Sequence, residues 1–280
     1  MDILISPTSR RFACVLFDFD GTISLIREGW QDVMTPMELE VLRPLGHGLS
    51  EQALAALVVE DITALTGKQT IYQMIRLAER VRQFGGQPEE PAAYKRRYGE
   101  LLMQRIGHRR EALASGRCEP ERMLLRGARR MLELLAGRGL ELFLASGTDE
   151  HFVRQEAALL KVKGFFNGGI YGAHGASLAD SKDAVIRRLL GERRLAGAEL
   201  LCFGDGFVEI DAVKAVGGYA VGVASDESAG GGKVNAWKRD RLVRAGADMI
   251  VPDFDQAEQI VKLLLGPGPI DNTHASQARG

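Results

Sequence analysis

Short apolar runs punctuate the chain at 12–17, 140–145, 200–203, 219–224 and 247–251. Each is rich in aliphatic or aromatic residues and bounded by turn formers, the pattern of a buried strand. Between the later runs, apolar positions recur at helical spacing over 150–160, 182–190, 208–216 and 256–265. Strand and helix in alternation predict an α/β fold, with a parallel, doubly wound, Rossmann-like sheet covered by helices on both faces. In such sheets the carboxyl ends of the strands are where ligands gather.

The stretch 24–124 breaks this rhythm. Leu54, Leu57, Val58, Ile62 and Leu65, then Ile71, Met74, Ile75, Ala78 and Val81, keep a helical period. Gly46-His47-Gly48, Gly85-Gly86, Pro88 and Pro91 divide it into several helices. The pattern predicts an all-helical domain, 24–124, inserted into a core made of 1–23 and 125–265. The Gly/Pro-rich tail 266–280 is expected to be disordered. A length of 280 residues suits one large domain or two moderate ones.

Composition narrows the functions. With 36 Lys+Arg against 37 Asp+Glu, the net charge of -1 gives no global case for nucleic acid. The basic runs Lys95-Arg96-Arg97 and Arg109-Arg110 have acids interleaved nearby and read as solvated helix faces. No apolar run approaches the ~20 residues of a membrane span. Cys14, Cys118 and Cys202 are isolated, without disulfide or metal-ligand spacing. Together with an N-terminus lacking a basic, then apolar, leader, this makes a cytoplasmic location the expectation. The five histidines show no ligand spacing, and only His151 falls close to a motif.

Four segments carry candidate chemistry. The first strand runs into Asp18-Phe19-Asp20-Gly21-Thr22, and two acids so close to a buried strand are costly unless a cation or substrate uses them. Asp is also common in plain turns. Ser146-Gly147-Thr148 offers a hydroxyl and free N–H groups before a helix, which makes either an anion site or an ordinary helix cap. Lys182 follows Ser181 at a helix start, where the macrodipole disfavours a cation. It could neutralise an anion and keep a carboxylate ionised, or simply face solvent. Gly204-Asp205-Gly206 turns off a strand, with Glu209 on the next helix. Asp18, the backbone of Asp20 and Asp205 would supply the oxygens a hard divalent cation prefers, although a Gly-Asp-Gly turn needs no metal.

Two further candidates lie in the insert. Thr66-Gly67-Lys68-Gln69-Thr70 echoes the centre of a P-loop, but the first glycine of that motif would fall at Ile62 and no strand precedes it. The segment reads as a helix corner with Thr70 as N-cap, or as a turn through which Lys68 reaches a polar substrate. Arg27 is a similar substrate candidate, with a surface ion pair as the alternative.

In this order and strand context, the acid pair, Ser146, Lys182 and the Gly-Asp-x-x-x-Glu segment resemble the haloacid dehalogenase superfamily. The resemblance is to its phosphatase branch with a helical cap after the first strand. It implies that Asp18 is the nucleophile, that Asp20 is the general acid/base, and that Ser146 and Lys182 bind the phosphoryl group beside Gly147 and Thr148. It further implies Mg²⁺ held among Asp18, Asp20, Asp205 and Glu209. Glu209 stands where the family often has Asp, and Asp211 is close by, so direct ligation, ligation through water and orientation of Asp205 all stay open. Dehalogenase-type members lack an acid at Asp20, and a P-type ATPase would read Asp-Lys-Thr-Gly-Thr. The implied activity is hydrolysis of a small phosphorylated metabolite through an aspartyl-phosphate. A phosphomutase would share these core motifs, whereas Asp20 and the long insert argue against a phospho-Asp signalling switch.

Overall fold

The structure, a computed structural model, describes residues 1–7, 10–175 and 181–267. Strands β1 (Asp2–Ile3), β2 (Cys14–Phe17), β3 (Glu141–Asp149), β4 (Gly169–Ala173), β5 (Leu200–Gly204), β6 (Tyr219–Val223) and β7 (Met249–Val251) form one sheet in the order β1-β7-β6-β5-β2-β3-β4. Every neighbouring pair is parallel except β1 with β7. Helices α1 (Gln31–Leu42), α2 (Glu51–Ala64), α3 (Thr70–Gln83) and α4 (Pro91–Ala114) lie between β2 and β3 in the chain. The others are α5 (Ala128–Gly137), α6 (Glu150–Leu159), α7 (Lys182–Arg193), α8 (Phe207–Ala215), α9 (Ala236–Arg244) and α10 (Ala257–Leu265).

Alternation along β2 explains the two layers of helix. Cys14 and Leu16 pack with Ile186 of α7, Ile210 and Val213 of α8 and Leu242 of α9. Val15 and Phe17 pack in the cluster of Leu132 and Leu135 of α5, Val153 of α6 and Ile260 of α10. Burial on both faces is why these strands read as unbroken apolar runs. Phe17 and Phe203 stack across β2 and β5 at 4.9 Å, beneath the strand ends that carry Asp18 and Asp205.

The helical insert enters and leaves along two adjacent segments. Leu25 N donates to Met123 O at 2.9 Å, and Leu125 N donates to Ile23 O at 3.0 Å. Ser50 caps α2 by accepting from Ala53 N, and α4 opens on Pro91, whose missing N–H costs nothing there. At the corner between α2 and α3 the N-cap is Gln69, with Thr70 the first helical residue, so the expected Thr70 cap is corrected by one position.

Four elements lay outside the sequence reading, among them α5, which follows the insert. Edge strand β4 is interrupted by glycine, as Gly169-Ile170-Tyr171-Gly172, and offers little apolar pattern. Gly172 is needed there because a Cβ would press on the backbone of Glu150. Helix α9 buries only Leu242, and β1 is two residues long. The tail expectation concerns residues of which 268–280 lie outside the described part.

Glu38 of α1 is buried, with Oε1 lacking a hydrogen-bond partner among the described residues. Burial, reinforced by Asp61, pushes its carboxyl up to about 8. A raised folded-state pKa favours the native state fully below the unfolded value, and that stability is lost as pH climbs through about 8. Glu38→Gln should therefore melt above wild type at pH 9, on the order of a few kcal/mol more stable, and match it near pH 4. Parallel melting curves at the two pH values check this; equal Tm differences at both would contradict it.

Candidate active site

β2, β5 and β3 are adjacent at the centre of the sheet, and their carboxyl ends bring the predicted core residues together. Asp18 follows β2 directly and is 7 % exposed. Lys182, at the first position of α7 after the Ser181 cap, donates to Asp18 Oδ1 at 2.7 Å and to Glu209 Oε2 at 2.8 Å. The Lys that seemed misplaced at a helix start is thus held by two buried carboxylates. Burial lowers its pKa, but Asp18 and Glu209 outweigh that and keep it charged. Burial pushes the Asp18 carboxyl up, Lys182 pulls it down, and Glu209 and Asp205 raise it again.

Asp20 is held differently. Its Oδ2 accepts from Ser146 Oγ at 3.2 Å and from Thr148 Oγ1 at 3.0 Å, while Ser146 Oγ also accepts from Thr148 N at 3.1 Å. Oδ1 is buried without a hydrogen bond from any described residue, 3.8 Å from Arg27 Nε. Burial raises the carboxyl to about 6 against the pull of Arg27, so both its protonation states are accessible near neutral pH. Gly21 has φ +79°, and a Cβ there would strike the Asp205 carboxylate. Only glycine allows the turn and Asp205 to meet.

Asp18, Asp205 and Glu209 each offer an oxygen within 4.8 Å of the others. This all-oxygen donor set fits a hard divalent cation such as Mg²⁺. The members are not equivalent. Glu209 Oε1 accepts from Gly206 N at 2.6 Å and Oε2 from Lys182, so both its oxygens are engaged. Asp18 Oδ2 and Asp205 Oδ1 accept no hydrogen bond from any described residue. Asp211 is exposed on α8 and stands apart from the cluster.

The two insert candidates fall out differently. Arg27 is buried and donates to both oxygens of Glu156, at 3.0 and 2.9 Å, rather than standing on the surface. It lines the cavity above Asp18 and Asp20 while packing at 5.5 Å over Phe152. The corner 66–70 does reach the site: a Cβ on Gly147 would lie 2.9 Å from Lys68 O, and Gly67 packs against Gly206 and Val208. Lys68 lines the same cavity as Arg27, with its side chain largely exposed and Nζ 5.5 Å over the ring of Tyr72. His151 is exposed against Phe152 and takes no part.

Sequence reasoning missed Lys238, Glu227, Gln73 and Tyr98. Lys238 Nζ donates to Asp205 Oδ2 at 2.6 Å, to Glu227 Oε1 at 2.6 Å and to Ser225 Oγ at 3.1 Å. The Asn235 cap that starts α9 was the available signal, since it sets Lys238 one turn into a polar helix. Gln73 and Tyr98 were hidden in the apolar stripes of α3 and α4.

The chain belongs to the haloacid dehalogenase-like hydrolases, whose family model matches residues 12–217, and it is therefore a hydrolase by family. No curated protein matches it. Among solved structures it is similar to a predicted phosphoglycolate phosphatase from Haemophilus somnus, at 18 % identity and TM-score 0.59 over 89 % of this chain and 98 % of that one. A β-phosphoglucomutase from Clostridium difficile aligns at 14 % identity and TM-score 0.61, over 90 % of this chain and 97 % of that one. A phosphonoacetaldehyde hydrolase-like protein from Oleispira antarctica gives 14 % and 0.60, over 96 % and 99 %. At these identities the likeness concerns the fold. Among the described residues, no helix is long and apolar enough to cross a membrane.

Proposed function

We propose that this hydrolase is a Mg²⁺-dependent phosphatase that forms an aspartyl-phosphate on Asp18. The observation that carries the reading is the division of labour between the two acids. Asp18 has one oxygen held by Lys182 and the other without a hydrogen bond from any described residue, while Asp20 is buried, oriented by two hydroxyls and raised to about 6. A carboxylate with a free oxygen beside an ammonium suits attack on phosphorus. A carboxyl close to the working pH suits proton transfer.

In the first step Asp18 Oδ2 bonds to phosphorus as the ester P–O bond breaks, and Asp20 gives its proton to the departing alkoxide. Asp20 then takes a proton from water as the water oxygen attacks phosphorus, which frees Asp18 and inorganic phosphate. Lys182 and the N–H groups around Gly147 offset charge on the phosphoryl oxygens. Asp18, the Asp20 backbone and Asp205 would hold Mg²⁺, which when bound lowers the repulsion between Asp18 and the phosphoryl oxygens. The insert 24–124 serves as a cap, hinged where its two connections pair and closed by the corner 66–70 over Gly147 and Gly206. A closed cap excludes water and completes the site. The substrate is a small phosphorylated metabolite.

A panel of phosphorylated metabolites, assayed for phosphate release with and without chelator, tests the reading. Activity should vanish with EDTA and return with Mg²⁺; a chelator-insensitive enzyme, or an isomerised ester in place of phosphate, would contradict it. Asp205→Ala should raise the Mg²⁺ concentration for half activity by about tenfold or more. Glu209→Ala, which frees Lys182 and the 204–206 turn, should lower kcat with a smaller change in that concentration. Equal shifts in Mg²⁺ requirement would place Glu209 directly on the metal.

A further inference from the structure

Lys238 is a cation beside the site that the proposed chemistry leaves unused. Its side chain, on α9, is only 11 % exposed. All three of its N–H donors are engaged: Asp205 Oδ2 and Glu227 Oε1 each accept at 2.6 Å, and Ser225 Oγ accepts at 3.1 Å. Burial alone would favour loss of its proton, but Asp205 and Glu227 outweigh burial and keep the ammonium charged. Ser225 is fully buried, and its Oγ carries the link onward by donating to Gly21 O at 2.8 Å. Gly21 follows Asp20 directly, so one ammonium ties the Asp205 carboxylate to the turn that carries the Asp20 carbonyl. Both belong to the group proposed to hold Mg²⁺.

The same contacts decide which oxygens are withheld. Asp205 and Glu227 converge beside Gly21, where a Cβ would strike Asp205 Oδ2 and lie 3.0 Å from Glu227 Oε1. Lys238 engages both of these oxygens. Among the described residues, the acids whose oxygens gather within 4.8 Å of one another are Asp18, Asp205 and Glu209, with Glu227 outside the group. Asp205 is left to offer Oδ1 alone. The difference matters because Mg²⁺ demands a small octahedral shell with several waters and one or two carboxylates, whereas Ca²⁺ takes about six to eight oxygens, often from bidentate carboxylates.

Resting on the Mg²⁺ reading, we propose that Lys238 is a positioning residue that sets the metal preference of this site. By occupying Asp205 Oδ2 and Glu227 Oε1 it holds Asp205 to one ligating oxygen and keeps Glu227 away, which favours Mg²⁺ over Ca²⁺. Without the ammonium, Asp205 is free to offer both oxygens and Glu227 to join it, a richer and looser set that suits Ca²⁺. Loss of the positive charge favours both divalent ions alike, so the ratio of their affinities isolates the change in coordination.

Calorimetric titration of Mg²⁺ and of Ca²⁺, without substrate, tests this in wild type, Lys238→Met and the double variant Lys238→Met with Glu227→Gln. Lys238→Met should raise the ratio of Ca²⁺ to Mg²⁺ affinity by roughly tenfold, the lower end of what losing a partner of a metal-ligating group costs. Adding Glu227→Gln should take back part of that gain. A ratio that stays put or falls in Lys238→Met protein with cooperative melting means that the lysine only braces the fold, and overturns the proposal. Glu227→Gln in otherwise wild-type protein gives an answer even where Lys238→Met fails to fold. It should leave the ratio unchanged, because the lysine already withholds that oxygen. A shift toward Mg²⁺ would put Glu227 on the ion with the lysine in place, and would overturn the proposal as well. Wild type that binds neither ion defeats the Mg²⁺ reading and this inference together, whereas bound ions with an unmoved ratio in Lys238→Met defeat the inference alone. The predicted shift in a protein that hydrolyses no phosphomonoester supports the role of Lys238 and contradicts the phosphatase.

Discussion

Asp18→Asn should lose turnover by on the order of 10⁴-fold or more while the protein folds and melts at least as well as wild type. An amide has nearly the same shape but cannot form the acyl-phosphate bond. The fold should survive because Asp18 is a buried acid whose ionisation is already penalised by its surroundings. Lys182 would keep Glu209 as a charged partner at 2.8 Å. Phosphate release together with circular-dichroism melting gives both halves of the result. Residual activity within tenfold of wild type, in protein that melts normally, would remove Asp18 from the chemistry.

Arg27→Ala should be among the most destabilising single changes in the chain. Glu156 is fully buried, and its close partner is Arg27, with Arg110 Nε at 3.9 Å as the next cation. Removing the guanidinium strands a carboxylate in the interior, a situation that costs about 3–5 kcal/mol. Replacing both members, as Arg27→Met with Glu156→Leu, should recover much of that loss, since a well-packed apolar pair can match a buried ion pair. Urea unfolding of the single and double variants reads the difference. A loss below about 1 kcal/mol in the single variant would mean that the pair is held far more loosely than its two hydrogen bonds indicate.

Arg27 also shows where the sequence runs out. Its position just after the acid pair drew attention to it, but its partner lies 129 residues away on α6. Sequence spacing carries no information about such a contact. The core was legible because each of its motifs is local: an apolar run, a turn, then an acid, hydroxyl or lysine at a helix start. Asp18, Ser146, Lys182 and Asp205 sit at adjacent strand or helix ends for that reason. The doubly wound sheet followed from the alternation of strands and helices, whereas β4 escaped because glycine replaced the apolar residues that mark a strand.

The site's second layer was not legible. Gln73 and Tyr98 occupy buried faces of α3 and α4 and look like breaks in an apolar stripe until the cavity between them is seen. Lys238 lies one turn into a polar helix, where a lysine ordinarily signals solvent. Its three hydrogen bonds to Asp205, Glu227 and Ser225 arise only when α9 folds across the end of β6. The turn 66–70 was visible as a turn, and its direction was decided by packing: the missing side chain of Gly147 leaves just enough room for the insert to touch the core. Composition and periodicity specify elements, while the polar contacts between distant elements emerge from their assembly.

The central claim is that the reaction passes through a covalent phosphate on Asp18. Wild-type protein should be mixed with a turned-over phosphomonoester and Mg²⁺, quenched in acid within milliseconds, and digested for peptide mass spectrometry. The account predicts a phosphate mass on the peptide containing Asp18, absent from the Asp18→Asn protein and lost on incubation at alkaline pH. Steady phosphate release with no label on that peptide, or with label on another residue, would contradict it.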